Sequence, residues 1–159
     1  WPQAFKEHHG LFSALRTIYE SIKLNGTEGF ALRKLYAGFL HEAAGMLDNP
    51  AYNAITGQYL QLANHWSNLA ENALPSSIPE FEQVKSLLNK QYQAYLKRET
   101  KTYTKTIGEL QTLQRKIVSD FPLDNFETNR LFERLSRQIK LISELELSAA
   151  QRLRDITRK

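Results

Sequence analysis

The stretch "GTEGFALRKLYAGFLHEAAGML", Gly26 to Leu47, decides the fold class. After the glycine turn, apolar side chains return at Leu32, Leu35 or Tyr36, Phe39, Ala43 and Met46. Steps of three and four place them on one stripe of a helix. Within that stripe stands Glu42, three residues after Phe39 and four before Met46. A carboxylate on a face that should be buried costs several kcal/mol or so unless it is paired or protonated. Either the helix turns slightly and leaves Glu42 at the edge of the stripe, or Glu42 meets a partner or ligand.

Working outward, the same spacing recurs along the chain. Phe5, Phe12, Leu15, Ile18 or Tyr19, and Ile22 mark a first helix over about Gln3 to Leu24, ended by Asn25-Gly26. The quoted stretch gives the second, Glu28 to Leu47. Asp48-Asn49-Pro50 stops it and restarts a third, with Asp48 or Asn49 as cap and Pro50 at the first helical position. The stripe of the third helix is Ile55, Tyr59, Leu62, Trp66, Leu69 and Ala73. Pro75-Ser76-Ser77-Ile78-Pro79 is a linker, and Ser77 with Glu80 has capping-box spacing. A fourth helix is predicted over Pro79 to Asp120, crossing or breaking at the wholly polar run Lys97 to Thr102. Phe121 to Asn125 is a turn before a fifth helix, Phe126 to Thr157, striped by Leu131, Leu135, Ile139, Ile142 and Leu145. No stretch alternates apolar and polar residues for long. The expectation is an all-α fold, a multi-helix bundle of about five helices whose last two form a long antiparallel hairpin. The residues 1–159 read as a single helical domain, and the start at Trp1-Pro2 without methionine suits a piece of a longer protein.

Composition narrows the function classes. Apolar residues make up 42% and charged residues 24%, a globular and not a disordered balance. The net charge of +4 is mildly basic and speaks to solubility and loose anion attraction. With no cysteine, these residues hold no disulfide, thiolate metal site or cysteine nucleophile, which fits a cytoplasmic protein. No apolar run approaches the ~20 residues that span a bilayer, so no membrane partner is expected. Arg130, Arg134 and Arg137, with Lys97, Arg98, Lys101 and Lys105, form a basic strip, but Glu99, Glu127 and Glu133 interrupt it. Nucleic-acid binding asks for denser clustering, so none is expected. His8, His9, His41 and His65 lack the spacing of a helical metal site, and there is no nucleophile elbow. No metal, cofactor or catalytic residue is expected within the chain.

Arg33 and Lys34 follow the glycine turn, where free N–H groups and two cations suit an anion, but GTEG is no phosphate-binding loop and solvated charges are the better reading. Tyr59 and Trp66 share one face of the third helix and would serve as core. Their phenol O–H and indole N–H still need partners when buried, and Glu42 on the neighbouring antiparallel helix is one that fits.

Gly26-Thr27-Glu28-Gly29, then Arg33-Lys34-Leu35-Tyr36-Ala37-Gly38-Phe39-Leu40-His41-Glu42-Ala43, resembles a family motif of the form G-T-x-G followed by R-x-L-Y-x-x-F-L-x-E-A. Leu62-Ala63-Asn64-His65-Trp66-Ser67-Asn68-Leu69-Ala70 matches its L-A-x-x-W-x-x-L-A element, and Glu146 to Leu153 matches E-x-x-A-A-x-x-L. These motifs resemble the helical C-terminal domain of unknown function found in proteins similar to butirosin biosynthesis protein H. The resemblance is dense over Gly26 to Leu74 and thin through helix four. It implies an N-terminal α/β domain of papain-like cysteine fold in the same protein. It also implies transfer of an acyl group from a carrier-protein thioester to an amine, with an acyl carrier protein as partner. The chain departs from a catalytic unit in having no cysteine. It would therefore be a non-catalytic accessory or substrate-shaping domain. Its expected binding residues are Arg33 (toward a carboxylate or phosphate), Glu42 (toward a cationic amine or across an interface), and Tyr36, Tyr59 and Trp66 as polar tips on apolar bodies. The rival expectation is a stand-alone interaction or dimerisation module, with the hairpin of helices four and five as the surface for a second copy or another partner.

Overall fold

Two helix ends carry the same signature and set the layout of the chain. In the computed structural model, which describes residues 8–25 and 30–158, Asp48 and Arg98 have positive φ, 47° and 58°. Each sits one residue past a helix cap. Around Arg98 the N–H of Glu99 donates to the Ala94 carbonyl at 2.8 Å and that of Arg98 to Tyr95 at 3.1 Å. Around Asp48 the N–H of Asn49 donates to Ala44 at 3.0 Å and that of Asp48 to Gly45 at 3.4 Å. This six-to-one and five-to-two pairing is the Schellman motif, which satisfies the last carbonyls of a helix through a left-handed residue.

The described residues form six α-helices and no strand: α1 (His8–Tyr19), α2 (Phe30–Met46), α3 (Ala51–Ala73), α4 (Pro79–Leu96), α5 (Thr100–Ser119) and α6 (Asn125–Thr157). A π-helical turn, Glu20–Leu24, continues α1. The expected all-α class holds. Of the two courses open to the fourth helix the chain takes the break, turning at Arg98 within the polar run. The two halves, α4 and α5, pack on each other. Tyr95 faces Tyr103 near their turn (6.4 Å between rings), and Lys116 faces Glu80 at the far end (3.6 Å). The expected starts near Gln3 and Glu28 fall outside the described residues.

Local chemistry explains the helix starts. The Asn49 carboxamide accepts the Ala51 N–H at 3.1 Å and caps α3. Asp124 and Glu127 cap α6 reciprocally, the Glu127 N–H donating to Asp124 at 2.8 Å and the Asp124 N–H to Glu127 at 3.0 Å. Ser77 does not cap α4 as its spacing with Glu80 suggests. The cap residue is Ile78, with no side-chain bond, and Pro79 fixes the first helical φ.

The chain divides into two compact units, residues 1–20 with 71–133, and residues 21–70 with 134–159. In the first, Phe81 is fully buried and stacks near Phe12 (6.3 Å) and Phe121 (6.1 Å), with Leu15, Val84, Leu88 and Ile117 also buried. Lys85 is the one buried charge among the described residues. Its ammonium donates to Glu71 at 3.0 Å and to Ser76, and pairs with Glu82 at 2.9 Å, so α3's last turn, the linker and α4 are fastened at one point. Burial opposes its charge, but the bonds to Glu82 and Glu71 outweigh it and hold the Lys85 pKa above the usual lysine value. The same bond, helped by Ser76, holds Glu82 below the usual carboxylate value. In the second unit the core is built from Ile22, Ala37, Leu40, Ala44, Ile55, Leu62, Ile142 and Ala149.

Arg98→Gly should stabilise the protein by roughly 0.5–1 kcal/mol, because glycine takes a left-handed φ without penalty. Urea melts check it, and a loss of stability would contradict the turn geometry. The Glu82 pairing is fully present above the ordinary carboxylate range and is lost as the pH falls through the depressed pKa. Glu82→Gln should therefore flatten the loss of stability on the acid side, read from thermal melts across pH 2 to 7 (roughly the range in which carboxylates titrate).

Candidate functional site

Helix α2 is apolar on two faces, and the one buried is not the one its large residues mark. Ala37, Leu40 and Ala44 are buried, whereas Leu35, Phe39 and Met46 are 72%, 59% and 86% exposed. Leu32 is exposed as well, and so is Glu42. The expected stripe is thus the outer one. Small side chains let α2 approach its own core closely, and that rotation turns the bulky stripe outward. Glu42 follows it, as in the first of its two expected readings, and does not take the role of partner to Trp66.

That role belongs to Glu146 on α6. Its Oε1 accepts from Arg33 Nε at 2.7 Å and from Trp66 Nε1 at 3.0 Å. The Arg33 guanidinium also lies 5.8 Å from the centre of the Trp66 ring, within reach of a cation–π contact. One carboxylate oxygen therefore joins α2, α3 and α6. About a quarter of the Arg33 and Glu146 side chains remains exposed, so the pair is neither fully dry nor a surface pair.

Beside this pair lies an open groove of about 710 Å³. Leu32, Leu35 and Phe39 form its apolar side, and Arg33, Tyr36, Tyr59 and Glu146 its polar side. Tyr36 and Tyr59 meet edge to face, 4.7 Å apart, and Tyr36 stacks on Phe39 at 5.8 Å. Tyr59 is 9% exposed. Burial raises the pKa of its phenol, and the nearby Tyr36 and Glu146 add to this against Arg33. Tyr59 thus stays a neutral hydrogen-bond donor at any ordinary pH. A net-neutral ion pair, two phenols and an apolar wall can hold an amphipathic group. They offer no nucleophile, and the described residues contain no cluster able to hold a metal.

Of the residues expected to bind, Arg33, Tyr36, Tyr59 and Trp66 are brought together, and Glu42 stands apart from the groove. Sequence reasoning missed Glu146 as the centre of the constellation. The available signal was its place at the head of the E-x-x-A-A-x-x-L element, a carboxylate fixed relative to a buried Ala149. Of the anion-binding alternative at the start of the second helix, Arg33 is engaged by Glu146, and the glycine turn, residues 26–29, lies outside the described residues. Among the described residues no helix is long and apolar enough to cross a membrane.

The chain belongs to the family described as Domain of unknown function (DUF4872), whose profile matches residues 1–106. No curated protein and no solved structure matches the chain. The family match includes Arg33, Tyr36, Tyr59 and Trp66 and ends before Glu146.

A double-mutant cycle on Arg33→Met and Glu146→Gln should give a coupling of about 1 kcal/mol, as for a partly buried charge-assisted bond. Coupling near zero in urea melts would show that the pair contributes nothing. In a spectrophotometric phenol titration, Tyr59→Phe should remove a step that lies above the ordinary phenol value.

Proposed function

We propose that this member of the family is a non-catalytic helical accessory domain of a natural-product biosynthesis protein similar to butirosin biosynthesis protein H. The observation that carries the reading is the groove on α2. It is already organised by the Arg33–Glu146–Trp66 contacts, yet it is open on its apolar side. Three things support it: the motif resemblance over Gly26 to Leu74, the family match, and the lack of any cysteine to serve as acyl nucleophile. On this reading a papain-like α/β domain of the same protein carries the acyl group, delivered in the cytoplasm by an acyl carrier protein. The helical domain supplies one wall of the acceptor site. Arg33 and Tyr59 donate to acceptor oxygens, Glu146 accepts a hydrogen bond from an amine N–H, and Leu32 and Phe39 cover apolar carbon. A second reading, an interaction module without a substrate, draws on the length of the outer stripe, which runs past the groove to Met46 and Leu47.

The test joins this chain to its α/β domain and follows acyl transfer from a carrier-protein thioester to an amine. Tyr59→Phe and Leu32→Ser should each lower kcat/KM about tenfold, the loss of roughly 1.4 kcal/mol of transition-state binding. Thermal stability should change little in Leu32→Ser, whose side chain is half exposed. Unchanged transfer in both variants, or transfer by the helical chain alone, would overturn the accessory reading.

A further inference from the structure

The outer face of α2 has a charge and size pattern that complements itself when turned end for end. Lys34, Gly38 and Glu42 follow one another at steps of four and fall within about 80° of the helix circumference. All three are exposed, and a Cβ placed on Gly38 would meet nothing within 4 Å. Leu35 and Phe39 flank this row on one side, and Met46 continues it. The cation lies toward the N-terminal end of the helix and the carboxylate toward the C-terminal end, with the glycine midway.

We propose that two copies of this chain associate through antiparallel α2 helices, related by a twofold axis passing at Gly38. The axis sets Lys34 of one copy opposite Glu42 of the other, twice. Leu35 meets Phe39 of the second copy, and Leu32 meets Met46. A closed twofold interface must use one patch on both copies, and this patch satisfies that requirement. A parallel pairing would instead oppose Glu42 to Glu42 and align the two helix dipoles. Lys34 need not give up the contacts it makes within its own chain, since an ammonium has three donors. Without a side chain at Gly38 the helices can come close enough for Leu35 and Phe39 to interdigitate.

Area supports the same occupant. Leu32, Leu35, Phe39 and Met46, the exposed apolar side chains that meet the second copy, leave roughly 500 Å² uncovered, within the range of a monomer's largest patch. Two copies would cover about 1,000 Å², the area a specific interface must reach. The second α2 packs over Leu32, Leu35 and Phe39, so in the dimer it covers the apolar side of the groove and leaves Arg33, Tyr36, Tyr59 and Glu146 as its remaining lining. The inference stands without the acyltransferase reading.

Sedimentation velocity on the chain from about 1 to 100 µM, concentrations that bracket a micromolar dissociation constant, tests it directly. The dimer should form within this range. Lys34→Glu and Glu42→Lys should each weaken it about tenfold, and the double exchange should restore it. Gly38→Leu should abolish it while keeping or raising helix content, because leucine is the better helix former. A monomer throughout, a dimer indifferent to Gly38→Leu, or single charge reversals that the double exchange does not rescue would overturn the proposal. None of these readouts involves acyl transfer, so failure here leaves the accessory reading intact, and the reverse holds too.

Discussion

A single carboxylate oxygen, Oε1 of Glu146, organises the part of the molecule that has a recognisable surface chemistry. It receives Arg33 from α2 and Trp66 from α3. Each of these donors would be expensive to leave half-buried and unpaired. The three helices are thereby held in one rotational setting, since moving any of them strands a donor or the acceptor. Rotation is the variable that matters for α2, whose two faces are both apolar enough to be buried. With Arg33 tied to α6, the Ala37–Leu40–Ala44 face turns inward and the Leu35–Phe39–Met46 face turns out. The groove, the exposed stripe and the position of Glu42 all follow from that choice.

Lys85 does comparable work in the other unit, by different means. Its three donors reach Glu71, Ser76 and Glu82, so the ammonium is fully satisfied at a site that is nearly closed to water. A buried charge so paired adds modestly to net stability but penalises any register in which the pairing is missed. It fixes the path of the Pro75–Ser77 linker, where the backbone alone leaves several courses open. Thus each unit places one charged group at the junction of successive elements and surrounds it with ordinary apolar packing.

What could be read from the sequence follows from which forces are local. Helix positions, the Asn49 cap and the stripes of α1 and α3 were legible because they depend on spacing and on neighbours within four residues. The break at Arg98 was legible only as a possibility. The polar run Lys97 to Thr102 marks it, but the left-handed residue is an arginine, and no sequence rule singles one out. The α6 cap was missed because an Asp-x-x-Glu box is less conspicuous than the Ser77–Glu80 pair, which has the spacing but not the bond. On α2 the error was one of size. Three large residues outweigh an Ala-Leu-Ala face in any count of apolar spacing, yet small residues are what allow helices to pack closely. Four of the five expected binding residues converge because the third-helix and second-helix motifs are neighbours in space. Their acceptor lies eighty residues beyond Trp66, a distance that spacing cannot bridge.

The opening anomaly, a carboxylate among apolar residues, therefore has an answer that depends on the second face. Glu42 is not an internal partner for Trp66, since that indole is already bound to Glu146. Glu42 lies in the same sector as Lys34 and Gly38, eight and four residues before it, on a helix that leaves its largest apolar side chains uncovered. A purely solvated face would be expected to carry polar residues throughout. A face built only for burial within its own unit would not keep a charge at its centre. An apolar face with one anion, one cation and a glycine between them has the composition of a surface that meets another helix, where charge sets direction and apolar contact supplies most of the affinity. In such a contact Glu42 costs some stability and fixes orientation, and the Arg33–Glu146 pair behind it keeps α2 from rolling that face back into its own core.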